Sequence, residues 1–270
     1  MQMPVVMAYL WGMPISKSFV LPEGKAIYFA SDLHLGAPDA PTSKQREQRF
    51  CAWLESIAAD ATALYLVGDV FDFWFEYRHA VPKGYVRLLG QLAALSDQGV
   101  QLHVFTGNHD LWMADYLTKE LGAVIHHGPV VHQWNQQRIY IAHGDGLGPG
   151  DRTYKALKRA FTNPLLRWLF RWIHPDIGIP FASRWSRSSR KRSGHLDNRF
   201  MPVNQEPLFV HSAAIHGATQ ADVYVYGHRH KPMESQSEGW HFVNLGDWLC
   251  HDSYGRLDKD GMVLTMPDKA

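Results

Sequence analysis

Five short apolar runs, rich in β-branched and aromatic residues, each end in polar side chains that can bind metals. This repetition restricts the fold more than any other feature of the sequence. The runs are AIYFASDLHLG (26–36), ALYLVGDVFDFW (63–74), VQLHVFTGNHD (100–110), RIYIAHGDG (138–146) and DVYVYGHRHKP (222–232). Apolar runs of this length that close in glycine or aspartate predict buried strands.

The segments after the first two runs have helical periodicity. Residues 44–60 place Phe50, Trp53, Leu54 and Ile57 on one stripe, and residues 84–98 repeat the pattern with leucine. Strands that alternate with helices predict an α/β fold with a mainly parallel sheet. The carboxyl ends of parallel strands share one edge, where ligands of open α/β sheets bind.

The spacing of the polar residues indicates repeated units and one insertion. Asp32 to Asp69 is 37 residues, Asp69 to Asn108 is 39, and Asn108 to His143 is 35. Each interval matches one strand–helix unit of roughly 30 residues or more. The interval from His143 to His228 is 85 residues. We therefore predict an N-terminal extension at residues 1–24 and a core in two segments, 25–150 and 221–270. Between the two core segments we predict an inserted helical lid at residues 151–220.

Bulk composition is that of an ordinary globular protein, with a net charge of +1 and only two cysteines, Cys51 and Cys250. No apolar run reaches the roughly 18 residues of a membrane span. The apolar start has no basic region before it and is interpreted as an extension, not a signal peptide. The scarcity of cysteine suits a reducing compartment, so we expect a cytoplasmic protein.

The polar residues at the strand ends form an inventory of metal ligands. Two divalent cations that share a site need a bridging carboxylate and about three further ligands each. Any single motif has an ordinary alternative, such as a loop end or a turn that tolerates positive φ. All five in one order predict a dinuclear metal site, with the candidate ligands Asp32, His34, Asp69, Asn108, His143, His228 and His230.

The motif series D-x-H, G-D-x-x-D, G-N-H-D, H-G-D and G-H-x-H resembles that of the calcineurin-like metallophosphoesterases, over about residues 26–250. The resemblance implies a four-layer α/β/β/α sandwich with two metal ions between the sheet edges, Mn²⁺ being favoured over Fe or Zn. It assigns Asp32, His34 and His230 to one metal, Asn108, His143 and His228 to the other, and Asp69 to both. It also implies hydrolysis of a phosphoester or pyrophosphate by a metal-bridging hydroxide.

Two further residues match catalytic positions of that family. His109 follows the ligand Asn108 and is predicted to donate to a phosphate oxygen or to protonate the leaving oxygen. Asp72 matches the position whose carboxylate pairs with that histidine and keeps it protonated. The alternative for Asp72 is a cap on a following helix.

The insertion is locally basic, because residues 151–200 hold twelve Lys or Arg and three Asp. Its alternative interpretation is two ordinary amphipathic helices with a solvated basic face. The mixture of bulky apolar residues and arginines favours a substrate that is part lipid and part phosphate. The candidate substrate contacts are Trp168, Trp172, Arg187 and Arg190.

At this level the chain resembles one branch of the family, the UDP-2,3-diacylglucosamine pyrophosphohydrolases of lipid A synthesis, which release a lipid phosphate and UMP. The branch implies a lipid-linked nucleotide sugar as substrate and contact with the cytoplasmic face of the inner membrane. Its best-known members carry Arg at the position of His109. One competing hypothesis is a soluble phosphodiesterase or phosphatase that acts on nucleotides or nucleic acid. Such an enzyme would have less use for helices rich in Leu and Trp. The other is a non-catalytic scaffold.

Overall fold

The first sheet carries three of the five motif strands. The protein is described by a computed structural model of residues 14–148, 152–184, 186 and 201–267. The sheet has the order β12-β11-β2-β3-β4-β5 and is parallel from β2 to β5. Every residue of β2 is buried, as its unbroken apolar sequence predicts. The strands are β2 (Ala26–Ala30), β3 (Ala61–Val67), β4 (Gln101–Phe105), β5 (Val124–His126), β11 (Tyr254–Asp258) and β12 (Gly261–Thr265).

The second sheet carries the other two motif strands, β7 and β8, side by side and parallel. Its order is β1-β6-β7-β8-β10-β9, with antiparallel pairs at β6/β7 and β9/β10. β1 lies in the predicted N-terminal extension and pairs with β6 through Ser18 and Gln133. The strands are β1 (Lys17–Phe19), β6 (Val130–Trp134), β7 (Gln137–Ala142), β8 (Val223–Tyr226), β9 (Pro232–Ser237) and β10 (Trp240–Leu245).

The mainly parallel strands predicted from strand–helix alternation are divided between two sheets, and the two-sheet sandwich implied by the family resemblance is confirmed. The interval from Asn108 to His143 shows where the spacing argument failed. It contains the short helix α3 (Tyr116–Leu121) and three strands, β5, β6 and β7, in place of one strand–helix unit. The chain crosses from the first sheet to the second within this interval.

The apolar core consists of three clusters of buried residues, which agree with the predicted helix and strand periodicities. Helices α1 (Ala40–Ile57) and α2 (Val86–Asp97) cover the outer face of the first sheet with Phe50, Leu54 and Leu92. The two sheets pack face to face through residues such as Phe29 and Ile141. Alternation along each strand sends neighbouring side chains into different layers.

Helix α7 (Pro207–Thr219) forms the fourth layer, on the outer face of the second sheet. Its Leu208 and Ile215 are buried against Tyr140 and Tyr224 of that sheet. This part of the predicted insertion 151–220 thus packs with the core. A 3₁₀ turn, Val203–Gln205, precedes it.

The rest of the described insertion forms three helices over the strand ends, which we call the lid helices. They are α4 (Arg152–Phe161), α5 (Pro164–Arg171) and a helical segment at 175–184, α6, with Ser186 also helical. Asn163 caps α5, accepting from the amide of Leu165 at 2.8 Å. Across the described ranges, no helix combines the length and the apolar character needed to cross a membrane.

Candidate active site

The predicted metal ligands meet between the carboxyl ends of the two sheets. Asp32, His34, Asp69, His228 and His230 all have positive φ, between 44° and 70°. Residues with a Cβ adopt this left-handed conformation only at a cost of about 1–3 kcal/mol, and such residues cluster at functional sites. The strained backbone turns each side chain from the end of its strand into the space between the sheets.

Two glycines of the motifs allow the close approach of these loops. A Cβ on Gly107 would collide with the carboxylate of Asp69, and one on Gly227 would collide with Ser31 and Asp32. Glycine is therefore required in G-N-H-D and in G-H-x-H for steric reasons.

The first predicted ligand group, Asp32, His34 and His230, is assembled around one point. The Nε2 atoms of the two histidines are 3.3 Å apart. Asp32 Oδ1 lies 3.7 Å from His34 Nε2 and 3.5 Å from His230 Nε2. Asp32 and His34 are fully buried.

The second group adjoins the first through Asp69. The Nε2 atom of His143 lies 3.4 Å from Asp69 Oδ2 and 3.3 Å from Asn108 Oδ1. Asp69 Oδ2 also lies 3.7 Å from His34 Nε2, so this carboxylate faces both groups. The imidazole of His228 lies beside that of His143, with ring centroids 5.2 Å apart.

These residues are suited to hold divalent cations. Separations of 3.3–3.7 Å are long for hydrogen bonds but are those expected between ligand atoms that share a cation at roughly 2.0–2.2 Å. The buried Asp32 Oδ1 accepts no hydrogen bond from the described residues, and an unsatisfied buried carboxylate oxygen is costly. The Nδ1 atom of His143 lies 2.8 Å from the carbonyl of Val67, which directs Nε2 to the metal side.

The electrostatics of the site favour positive charge. Burial alone would lower the pKa of His34. The carboxylates of Asp32, Asp72 and Asp69 have the larger effect and raise this pKa to about 9. Burial likewise lowers the pKa of His143, and the charge of Asp69 raises it to about 10. A place where carboxylates stabilise buried cationic groups this strongly also stabilises metal cations.

His228 has the opposite balance. Burial and the neighbouring His143 lower its pKa to about 4. A neutral imidazole is the form that binds a metal.

The predicted acid–carboxylate pair is also brought together. His109 Nδ1 lies 3.6 Å from Asp72 Oδ1 and 3.2 Å from the Asp72 carbonyl oxygen. Asp72 Oδ1 is equally close, 3.6 Å, to Nδ1 of His34. The next described helix after Asp72 begins only at Val86. Asp72 therefore does not cap a helix, and the capping alternative is wrong. The roles of both residues stay predictions.

Two buried aspartates that sequence reasoning missed hold the site together. Asp110 accepts hydrogen bonds from the amides of Val70 at 2.9 Å and Gly107 at 2.7 Å, which joins the second motif to the third. Asp247 lies 3.3 Å from Nδ1 of His230 and accepts from the amide of Cys250 at 2.9 Å. A strand and then a glycine precede Asp247, the same order that marks Asp69.

A cavity of about 250 Å³ opens beside Asn108 and His109 and extends beneath the lid helices. Its wall is mainly aromatic and aliphatic, with Phe73, Trp112, Leu157, Phe161, Phe170 and Phe181. The ring of Phe170 in α5 lies 5.0 Å from that of Trp112 in the core. The indole nitrogen of Trp112 donates to the Phe161 carbonyl at 2.6 Å. The lid thus packs on the aromatic residues that follow the second and third motifs.

The predicted substrate contacts are not gathered in this cavity. Trp168 and Trp172 are 52% and 75% exposed and lie against each other, with ring centroids 5.9 Å apart, outside the cavity lining. Phe170 occupies the inner face of the same helix, because helical geometry separates it from both tryptophans. Arg187 and Arg190 lie outside the described residues. The substrate role of all four stays a prediction.

A sequence model of the calcineurin-like phosphoesterases matches residues 25–232, and this chain belongs to that family. It is 40% identical to the UDP-2,3-diacylglucosamine hydrolase of Porphyromonas gingivalis, over 88% of this chain and 96% of the relative. Identity to the enzyme of the same name from Edwardsiella ictaluri is 30%, over 88% and 91% of the two chains. The E. coli phosphoesterase Yfce has a solved structure that matches at 20% identity and a TM-score of 0.41, over 89% and 91%.

Family and site together define a metal-dependent hydrolase that uses divalent metal ions. The prediction of enzyme class from the five motifs is confirmed.

Proposed function

We propose that this chain hydrolyses the pyrophosphate bond of UDP-2,3-diacylglucosamine, giving a lipid monosaccharide phosphate and UMP. The observation that carries the proposal is the apolar cavity, whose polar end is formed by Asn108 and His109. Two curated relatives named UDP-2,3-diacylglucosamine hydrolase support it. The predicted metal site would bind the pyrophosphate, and the apolar wall of the adjoining cavity would bind the acyl chains.

The seven strand-end residues would hold two divalent cations, in the two groups that meet at Asp69. When bound, such ions lower the pKa of water and neutralise phosphoryl oxygens. His109 would donate a proton to the phosphoryl group or the leaving oxygen. Asp72, 3.6 Å from its Nδ1, would favour the protonated imidazole.

Manganese suits the mixture of carboxylate, imidazole and amide ligands, and we propose Mn²⁺ as the ion. The test is turnover after dialysis against chelator and addition of one metal at a time. Mn²⁺ should restore the highest rate. A higher rate with Zn²⁺ or Fe²⁺ would overturn this part of the proposal.

We propose that the lid helices of the predicted insertion 151–220, namely α4, α5 and α6, act as the lid, with their inner face toward acyl chains and their outer face toward the membrane surface. The outer face of α5 exposes Leu165, Trp168, Leu169 and Trp172 by 48–75%. Arg167 and Arg171 alternate with them. Apolar and aromatic residues beside arginines are typical of helices that lie in a bilayer interface.

The substrate is tested by assaying the purified protein with Mn²⁺ on UDP-2,3-diacylglucosamine, bis-p-nitrophenyl phosphate and single-stranded DNA. We expect the lipid substrate to be turned over with the highest kcat/KM. Efficient hydrolysis of DNA or of the small diester alone would favour the soluble phosphodiesterase.

Two matched variants of α5 separate the two faces of the lid. Phe170→Ala should raise KM for the diacyl substrate about 10-fold by removing apolar contact area, with little change on bis-p-nitrophenyl phosphate. Trp168→Ala should leave that KM unchanged in detergent and weaken co-sedimentation with phosphatidylethanolamine–phosphatidylglycerol vesicles. Equal effects of both variants on KM would contradict the assignment of the faces.

A further inference from the structure

Ser186, at the end of the described lid, reaches the predicted catalytic histidine of the core. Its Oγ lies 2.5 Å from His109 Nδ1 and 2.7 Å from the carbonyl oxygen of Asp72. Ser186 is buried, with 9% of its surface exposed, and it lines the cavity beside His109. The sequence separation of 77 residues shows that the contact depends on how the lid sits on the core.

The chemistry of the two partners of Ser186 determines the direction of both hydrogen bonds. A carbonyl oxygen only accepts, so the Ser186 hydroxyl donates its hydrogen to Asp72. The hydroxyl oxygen then accepts from His109, whose Nδ1 must carry a proton. The chain Nδ1–H···Oγ–H···O=C is complete, and each bond in such a chain strengthens the next.

We propose that Ser186 is a positioning residue that orients His109 for catalysis from within the lid. The alternative partner of Nδ1, the Asp72 carbonyl, is farther away, at 3.2 Å. With Nδ1 held by Ser186, Nε2 is the nitrogen that serves the phosphoryl group or leaving oxygen. The imidazole is correctly held only when Ser186 is in contact with it, so the lid that covers the apolar cavity also completes the acid.

The proposal rests on the predicted role of His109 in the proposed function, and a double-mutant cycle tests it. The proteins are the wild type, Ser186→Ala, His109→Ala and the double variant, assayed with Mn²⁺ on UDP-2,3-diacylglucosamine and on bis-p-nitrophenyl phosphate. Ser186→Ala should lower kcat about 10- to 100-fold, a part of the ~10²–10⁴ that a general acid contributes. KM should change less than about 2-fold, because the Ser186 hydroxyl is hydrogen-bonded to His109 and Asp72 and not to an acyl chain of the substrate.

In the His109→Ala background the serine has nothing to position. Ser186→Ala should then change kcat by less than about 2-fold, which is the non-additivity of residues that act as a unit. Ser186→Thr keeps the hydroxyl and should recover most of the rate. Ser183→Ala, the same substitution on the same lid helix, is the matched control and should leave kcat near the wild-type value.

A spectroscopic measurement decides the proposal independently of substrate identity. The ¹⁵N shifts of the His109 imidazole, assigned with His109→Ala, should show a protonated Nδ1 in the wild type and a changed signal in Ser186→Ala but not in Ser183→Ala. If only bis-p-nitrophenyl phosphate is hydrolysed, the proposed substrate fails while the cycle on that diester still tests Ser186. Additive losses in the cycle, a raised KM with unchanged kcat, or an unchanged His109 signal would each overturn the positioning role.

Discussion

The backbone amide of His109 donates a hydrogen bond to Asp69 Oδ1 at 2.8 Å, and this ties the predicted acid to the predicted bridging carboxylate. The other oxygen, Oδ2, lies 3.4 Å from His143 Nε2 and 3.7 Å from His34 Nε2. Asp69 thus links both predicted ligand groups to the G-N-H-D loop. The backbone that presents His109 is held by a predicted metal ligand, and this contact does not require the imidazole to touch a metal.

Asp69→Ala should abolish metal binding and activity together. The carboxylate faces both ligand groups and is the predicted bridge between the two ions, so its removal takes away the shared ligand. Metal content measured by inductively coupled plasma mass spectrometry should fall below two ions per chain, and turnover should fall by at least about 10³-fold. Two ions per chain with preserved turnover would show that Asp69 does not bridge.

His109→Ala should retain both metals and lose turnover. The amide of residue 109 still donates to Asp69 in the variant, so the ligand geometry survives. We expect kcat to fall about 10²- to 10⁴-fold, the usual contribution of a positioned acid. His127→Ala changes an exposed histidine outside the predicted ligand set and is the control. Loss of a metal ion from His109→Ala would make this residue a ligand.

Much of the site is local in sequence, which is why it could be predicted. Each motif follows a strand, and the change from an apolar run to polar residues is visible without a structure, with a glycine just before Asp69, Asn108 and His228. Asp69 and Asn108 follow adjacent strands, β3 and β4, as predicted. The split of the motif strands between two sheets was not predictable from periodicity, because strand pairing depends on contacts distant in sequence.

The residues that support the ligands were harder to find. Asp247 has the same strand–Gly–Asp signal as Asp69 but no second polar residue beside it to mark a motif. Ser186 belongs to a segment dense in serine and arginine, where no pattern distinguishes it. Helix α5 is apolar on both faces, so its sequence alone does not show that Phe170 faces the core and Trp172 faces outward.

Asp247→Ala should weaken metal binding without removing a ligand. Asp247 lies 3.3 Å from Nδ1 of His230 and keeps the opposite nitrogen toward the site. Removal of such a supporting carboxylate typically costs about 10- to 100-fold in metal affinity. Competition with a fluorescent chelator measures this. Asp252→Ala, which removes a partly exposed ion pair with Arg49, is the control and should bind metal as the wild type does. Unchanged affinity in Asp247→Ala would remove its supporting role.

Arg46→Met should destabilise the fold through the first motif. The buried guanidinium donates from Nη1 to the carbonyls of Leu33 and His34, both at 2.9 Å, and of Ala37 at 3.1 Å. The variant leaves three buried carbonyls without this donor, at an expected cost of about 2–4 kcal/mol in the free energy of unfolding. Urea titration monitored by circular dichroism measures it. Arg49→Met on the same helix removes an exposed ion pair and should cost less than about 1 kcal/mol. Equal losses in both variants would contradict this account.

Three histidines between the two sheets should make the protein sensitive to mild acid. His103, His126 and His132 lie with ring centroids 5.2–5.5 Å apart beneath Tyr65 and Phe19. Burial, reinforced by the neighbouring histidines and Lys17, lowers the pKa of His103 to about 3, and burial lowers that of His126 and of His132 to about 4. All three are therefore neutral in the folded protein over a range in which the unfolded chain is protonated.

The unfolded state binds more protons than the folded state between the ordinary histidine pKa of about 6.5 and these lowered values. The free energy of unfolding should be unaffected by the cluster above pH 6.5. It should fall as the pH decreases from 6.5 to 4, by up to about 1.4 kcal/mol per pH unit for each histidine. His103→Phe should reduce the slope of stability against pH by about one proton in urea titrations at stepped pH. His79→Gln, at an exposed position, should leave the slope unchanged. A His103→Phe protein with the wild-type slope would show that this histidine does not gain its proton only on unfolding.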